Sequence, residues 1–383
     1  MKLRIGVGAT AVALAAFTAA SGGFTSVASA HPGPGHPVPG DDHAVFIQTD
    51  NPAGNQVVAY DRAPNGTLRF EATYDTGGLG GVLNGSAVDH LASQGSLAFD
   101  QQRNLLYAVN AGSNTISVFF VRGDDLRLLQ VISSGGTFPV SIATHDGLVY
   151  VLNALSGGSV QGYFSFFGHL VPIPGSDRSL GLTIPTDTTQ FTNTPGQVAF
   201  SPDGAQLIVT TKLNLSDIDV FRIGFFGSLS PSPVVNPEPG TGPFGVTFDA
   251  AGHLVVADTA NNAVATYALN RGGTVTLVDS VPTGQAATCW VAAGQSFFYA
   301  SNAGSSNVSG YAETSSGILT LLAPPTPTDP GTVDAASAGQ FLYVQSGASG
   351  IVDEYQINGN GSLTRIGSVP VAGAAGGEGI VAT

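Results

Sequence analysis

Residues 106–119 read LYAVNAGSNTISVF and residues 298–311 read FYASNAGSSNVSGY, so one fourteen-residue pattern is written twice, 192 residues apart. Both copies flank a small, polar Asn-Ala-Gly-Ser centre with β-branched and aromatic residues, the composition of strand, turn and strand. Looser copies are LVYVLNALSGGSVQGY ending at Tyr163, LIVTTKLNLSDIDVF ending at Phe221, LVVADTANNAVATY ending at Tyr267 and LYVQSGASGIVDEY ending at Tyr355. A degenerate first copy, VFIQTDNPAGNQVVAY, ends at Tyr60. The closing aromatic recurs at intervals of 59, 44, 58, 46, 44 and 44 residues. A period near 44 is that of one four-stranded propeller blade.

Around each hairpin the units agree. An apolar segment such as PVSIAT or PGQVAFS precedes a polar turn (HDG, SPDG, DAAG), and a second turn (RGDD, NRGG, NGNG) leads into a closing strand such as LRLLQVI or SLTRIGSV. Seven hairpins are present, but only HPGPGHPVPGDDH precedes the first, and it is too rich in Pro and Gly for an inner strand. The missing strand is EGIVAT, Glu378 to Thr383, at the opposite end of the chain. The sequence therefore predicts an all-β, seven-bladed β-propeller over residues 43–383, with the C-terminal strand pairing into blade one and covering the edge that blade would otherwise expose. Strand alternation then places the NAGSN-type turns and the blade crossings on one face. Two long insertions, Gly77–Gly95 and Leu170–Thr194, fall on that face, where loops on a rigid scaffold favour binding.

Ahead of the propeller, Lys2 and Arg4, an apolar run to about Ala20 and Ala28-Ser29-Ala30 form a secretory signal over residues 1–30, followed by a flexible Pro/Gly-rich segment, 31–42. The expected product is secreted, free of the membrane after cleavage, and monomeric. Removing the signal takes two of 12 basic residues and none of 26 acids, which leaves a charge of −16 with Lys212 as the only lysine. Such a balance excludes nucleic acid as a partner, because phosphate polymers demand clustered cations. Cys289 is the only cysteine, so no intrachain disulfide forms, and its apolar neighbours suggest a buried, inert thiol. The sequons at Asn65, Asn84, Asn214, Asn307 and Asn360 depend on the host.

FSPDG (200–204), YAVNAGSNTISVF (107–119) and YASNAGSSNVSGY (299–311) resemble the lactonase-type propellers: 6-phosphogluconolactonase-like proteins, 3-carboxymuconate cyclases and YVTN-repeat proteins. The resemblance covers residues 43–383 and implies a central pocket, with lactone hydrolysis or formation as the associated chemistry. Members of that group carry His and Arg around the channel. Here the inner-strand openings are GSLAF, PVSIAT, PGQVAF, PFGVTF, CWVAAG, VDAASA and EGIVAT, without His, Arg or Lys. A phosphosugar requires cationic or dense N–H recognition, so the lining disfavours one.

The remaining candidates follow from position. Asn110, Asn153, Asn302 and Asp258 end the second strands and read either as ligand-binding groups or as caps of their own turns. Trp290, the only tryptophan, reads as a stacking platform for a ring or as packing between blades. Glu378 and Asp334 occupy comparable inner positions on adjacent blades, where paired carboxylates serve as acid and base or bind Ca²⁺, or are merely solvated. His90 and Arg178, in the two insertions, are the basic residues placed to reach over a pocket as base and anion clamp. His145 and His253 fall in turns of the opposite face and His169 beside the start of a strand. Cleavage after Ala30 would free His31, whose amine and imidazole can chelate Cu²⁺. No cofactor is expected; a divalent cation held by main-chain carbonyls in the channel is compatible with the sequence. Three functions remain: a propeller binding a sugar, lactone or carboxylate on its top face, a lactone hydrolase or cyclase, and an extracellular protein- or glycan-interaction scaffold.

Overall fold

The computed structural model describes residues 43–383, so the signal, the 31–42 segment and the His31 copper reading lie outside the described residues. Seven sheets, each with a core of four antiparallel strands, follow one another along the chain. Blade two shows the repeat: Leu97–Asp100, Leu105–Asn110, Thr115–Arg122 and Asp125–Ser133, from inner to outer edge. The other sheets repeat this order, and blade one is completed from the far end of the chain. There Ile380–Ala382 pairs antiparallel with Ala44–Gln48, matching Ile380 to Ile47 and Ala382 to Val45. Thr383 adds a main-chain bond of 2.9 Å to the Ala44 carbonyl.

The recurring aromatic has a physical cause. Tyr60, Tyr163 and Tyr311 each donate a phenolic hydrogen bond to the last strand of the preceding blade, at the carbonyls of Pro370 (2.8 Å), Ser133 (2.7 Å) and Val281 (3.0 Å). Tyr355 does the same to Pro327. The ring buries apolar area between blades while its hydroxyl satisfies an outer-strand carbonyl, which is why Tyr is favoured there. The core is accordingly split into apolar layers between successive blades, such as the one joining Val45, Tyr60 and Tyr343 across the closing seam.

Both insertions emerge at the face of the second-to-third strand turns, as expected. The second is shorter than its sequence suggests. His169–Pro172 is the outer strand of blade three, and Arg178–Ser179 rejoins the same third strand at Ser159–Val160 after a short excursion.

Candidate functional site

The first insertion does not arch over an open channel; it enters it. Ser93, Gln94 and Gly95 run between inner strands on opposite sides of the ring. The Ser93 hydroxyl donates to the Val140 carbonyl (2.8 Å) and the Ser93 carbonyl accepts the Trp290 indole N–H (2.7 Å). The Gln94 side chain pairs with both main-chain groups of Val291, at 2.9 and 3.0 Å. Its seat on blade five is Gly245, where an added Cβ would lie 2.1 Å from Gln94 Oε1. Ser141 and Gly196 anchor the Gln94 main chain to blades three and four. The axial pocket that the family resemblance implied is thus filled by the chain itself.

Glu378 and Asp334 meet at the edge of this plug, as their register required. Their side chains hydrogen-bond to each other, an arrangement that needs one shared proton. Glu378 is fully buried and also accepts from Gly95 N (2.7 Å), and its second carboxyl oxygen lies 3.2 Å from the Ser93 Oγ. Burial and the neighbouring carboxyls of Asp334, Asp89 and Asp50 hold Glu378 well above the ordinary carboxylate range. Asp50, which accepts the Glu378 N–H at 2.8 Å, is pushed up by burial to about 8. The solvated-channel reading of these acids is corrected: four carboxyls are enclosed at the plug.

His90 sits close by through its main chain, donating to the Gly376 carbonyl at 2.7 Å, and its half-buried ring is shifted downward by desolvation. Arg178 goes elsewhere. It lies in the outermost strand of blade three, where its guanidinium donates to the carbonyls of Ser230 (2.8 Å), Leu229 (2.6 Å), Gly175 and Asp177. It therefore does not reach over the pocket, because blade four claims its donors. The turn amides also face their own blades. Asn110 donates to Thr115 and Ser117 and Asn302 to Asn307 and Ser309, while Asn153 donates to Ser159 of its own blade and to the Ser134 carbonyl in the crossing from blade two. Asp258 is buried at the corresponding place, its carboxyl raised to about 7 by desolvation.

A cavity of about 320 Å³ opens beside the plug, between the 85–92 stretch of the first insertion, Phe191 and Thr192 of the second, and the top of blades four to six. Phe244 and Trp290 form one wall, edge to face with centroids 5.2 Å apart. Cys289 also lines it, its thiol pushed up by burial to about 11 and 3.0 Å from the Thr259 hydroxyl. Lys212 forms the inner wall. Its ammonium donates to the carbonyls of Ala92 (2.6 Å) and Phe191 (2.6 Å) and to the Thr194 hydroxyl (2.8 Å), and it lies 5.1 Å from the centroid of the Phe244 ring. The lysine thereby ties both insertions to blade four. Burial lowers its basicity and raises Asp89, and each opposes the other's shift by attraction. Asp89 accepts three main-chain N–H groups, from Leu91, Ala92 and Ser93, and Lys212 donates three bonds, so the hydrogen bonding matches the ionised pair.

Sequence reasoning singled out Trp290 but assigned nothing to Lys212, Asp89 or Phe244. The available signal was Lys212 itself, the only lysine after the signal, in a turn that strand parity places on the insertion face.

A set of metal-type donors occurs on the opposite face, where Asp249, His253 and Glu313 bring ligand atoms within 4.8 Å of one another. His253 Nδ1 is 2.6 Å from Asp249 Oδ2, and burial raises Glu313 to about 7. These are donors suited to a divalent cation, and they lie away from the channel, where the sequence expected no cofactor but was compatible with an ion.

Against known proteins, the family model described as lactonase, 7-bladed beta-propeller matches residues 97–376. The chain belongs to that family. A search of curated protein sequences gave no match. Similar solved structures include a candidate 6-phosphogluconolactonase from Bacteroides fragilis (16% identity, TM-score 0.71, 91% of this chain and 100% of that one). Another is the periplasmic gluconolactonase of Pseudomonas aeruginosa (19% identity, TM-score 0.68, 88% and 98%). Virginiamycin B lyase of Staphylococcus aureus is more distant (15% identity, TM-score 0.52, 73% and 84%). At these identities the likeness is one of fold. Within the lactonase family, what distinguishes this chain must be sought in the plug and the flanking pocket.

Proposed function

We propose that this lactonase-family propeller is an exported monomer that binds a small molecule in the cavity between the first insertion and blades four to six. The observation that supports the reading is the enclosure itself. Two crossings that share no repeat with the blades are fastened to one another and to blade four by a buried lysine, and they leave a concave space open at their edge. Glu378 and Asp334 stand behind residues 93–96, with Gly95 N already on Glu378, so the reading assigns them to the architecture of the plug. Binding without turnover is the reading that this arrangement favours.

Cys289 and Trp290 are each the only residue of their type and both line the cavity. Tryptophan emission and the rate of Cys289 alkylation by N-ethylmaleimide therefore report on one place. Titration with a panel of lactones, aryl esters and sugars is expected to give at least one saturable change in emission together with slower alkylation. A panel without either response would overturn the proposal, and turnover abolished by Glu378→Gln would return that carboxyl to catalysis.

A further inference from the structure

We infer that the ligand of this cavity is apolar: a ring or short alkyl body with no charge and no face of hydroxyls. The inference rests on the cavity being the binding site, and it follows from where the hydrogen-bonding capacity of the lining has gone. Lys212 has three ammonium hydrogens and three acceptors within 2.8 Å, all from the protein. Asp89 is engaged by three main-chain donors. The Trp290 N–H is bonded to Ser93 at 2.7 Å, and the Ser86 hydroxyl donates to Leu83 at 2.8 Å. Thr192 donates to the Thr189 carbonyl at 2.9 Å, and Thr259 is paired with the Cys289 sulfur. Every polar side chain of the lining is thus already partnered within the protein.

What faces the space is hydrocarbon. The Phe244 and Trp290 rings make one wall, Phe191 and Val88 contribute from the two insertions, and Ala287 and Ala303 leave the room. A guest gains by removing this surface from water. A sugar would bring several hydroxyls to a wall that offers few free partners, and each one left unpaired would weaken binding roughly tenfold. An anion fares worse. The one lysine has no hydrogen to spare, and the Asp89 carboxylate is near it. The chemistry of the wall therefore points away from the phosphorylated gluconolactone that the name of the Bacteroides fragilis relative denotes. At about 320 Å³ the space is at the small end of ligand sites, suited to a bicyclic aromatic or an alkyl-substituted lactone.

The test uses the unaltered propeller and four probes: γ-decalactone, 1-naphthol, glucono-δ-lactone and 6-phosphogluconate. Tryptophan emission and Cys289 alkylation are followed for each. The two apolar probes are expected to saturate and protect the thiol at concentrations at least tenfold below either polar probe. Ala303→Phe, which fills the space, should weaken the apolar probes tenfold or more. If glucono-δ-lactone or 6-phosphogluconate protects Cys289 as well as the apolar probes do, the inference is wrong while the cavity remains the binding site. If all four leave both signals unchanged, the binding site itself has been misassigned and the inference falls with it.

Discussion

Two buried regions lie side by side on the insertion face and are built in opposite ways. Around the ring axis, residues 93–96 fill the space and four carboxyls crowd against them, supplied with main-chain N–H groups and a shared proton. A few residues away the chain leaves a void and lines it with hydrocarbon, and its polar groups turn back into the protein. The lesson concerns cost. A propeller axis collects the starts of inner strands, so groups there must be hydrated or satisfied internally, and this chain satisfies them with its own backbone. The empty volume is thereby moved off the axis to a flank where nothing charged needs water.

The largest expected effect comes from the residue that belongs to both regions. Lys212→Met removes three hydrogen bonds and leaves Asp89 without its cation. It should cost about 3–5 kcal/mol in denaturant unfolding and abolish ligand signals at Trp290. A cost below about 0.5 kcal/mol would mean that the two regions are not joined through this lysine.

Glu378 separates architecture from chemistry. Glu378→Ala strands the Gly95 N–H and takes the hydrogen-bond partner from the Asp334 carboxyl, and should lose about 1–3 kcal/mol. Glu378→Gln keeps an acceptor, offers Asp334 a donor, and should stay within about 1 kcal/mol of wild type in the same unfolding measurement. Ligand affinity should be equal in both variants, since neither touches the apolar wall.

Titration should reach the acidic region through Asp50. Burial pushes Asp50 up to about 8, so the folded protein holds a proton that the unfolded chain has released once pH exceeds the ordinary value of 3.8. The associated stability is complete below that value and is lost as pH rises through about 8. The melting temperature should therefore fall by about 2 °C or more between pH 5 and pH 8, and Asp50→Asn should flatten the slope.

Trp290→Phe is the mildest change. It removes the indole bond to Ser93, keeps an aromatic wall, and should cost about 1 kcal/mol by thermal unfolding with apolar binding retained by the Cys289 readout. A complete loss of binding would show that the wall and the plug are one structure and would dissolve the contrast between them.

Much of this was legible beforehand. Tyr60, Phe119, Tyr163 and their successors marked the blades because one large ring must pack between blades at the same place in every repeat, with a hydroxyl bonded to the preceding blade at Tyr60, Tyr163, Tyr311 and Tyr355. Glu378 and Asp334 could be placed at comparable positions on adjacent inner strands, and the fold brings their carboxyls together there. Arg178 was misplaced because its excursion folds back onto the outer strand of blade three, a choice made by carbonyls at Leu229 and Ser230, fifty residues further on. The plug was hidden for the same kind of reason. Nothing in Ser-Gln-Gly at 93–95 announces a path across the ring until Gly245 and Val291 supply its seat.

The linear chain by itself determined the number of blades, the returning C-terminal strand and the face that carries both insertions, since these follow from local periodicity and the alternation of strands. Only the folded ring decided that the axis is filled, that Lys212 fastens the insertions and that the open space is apolar. Those outcomes depend on which distant polar groups meet, and hydrogen-bond partners separated by 120 or 197 residues leave no periodic trace in sequence.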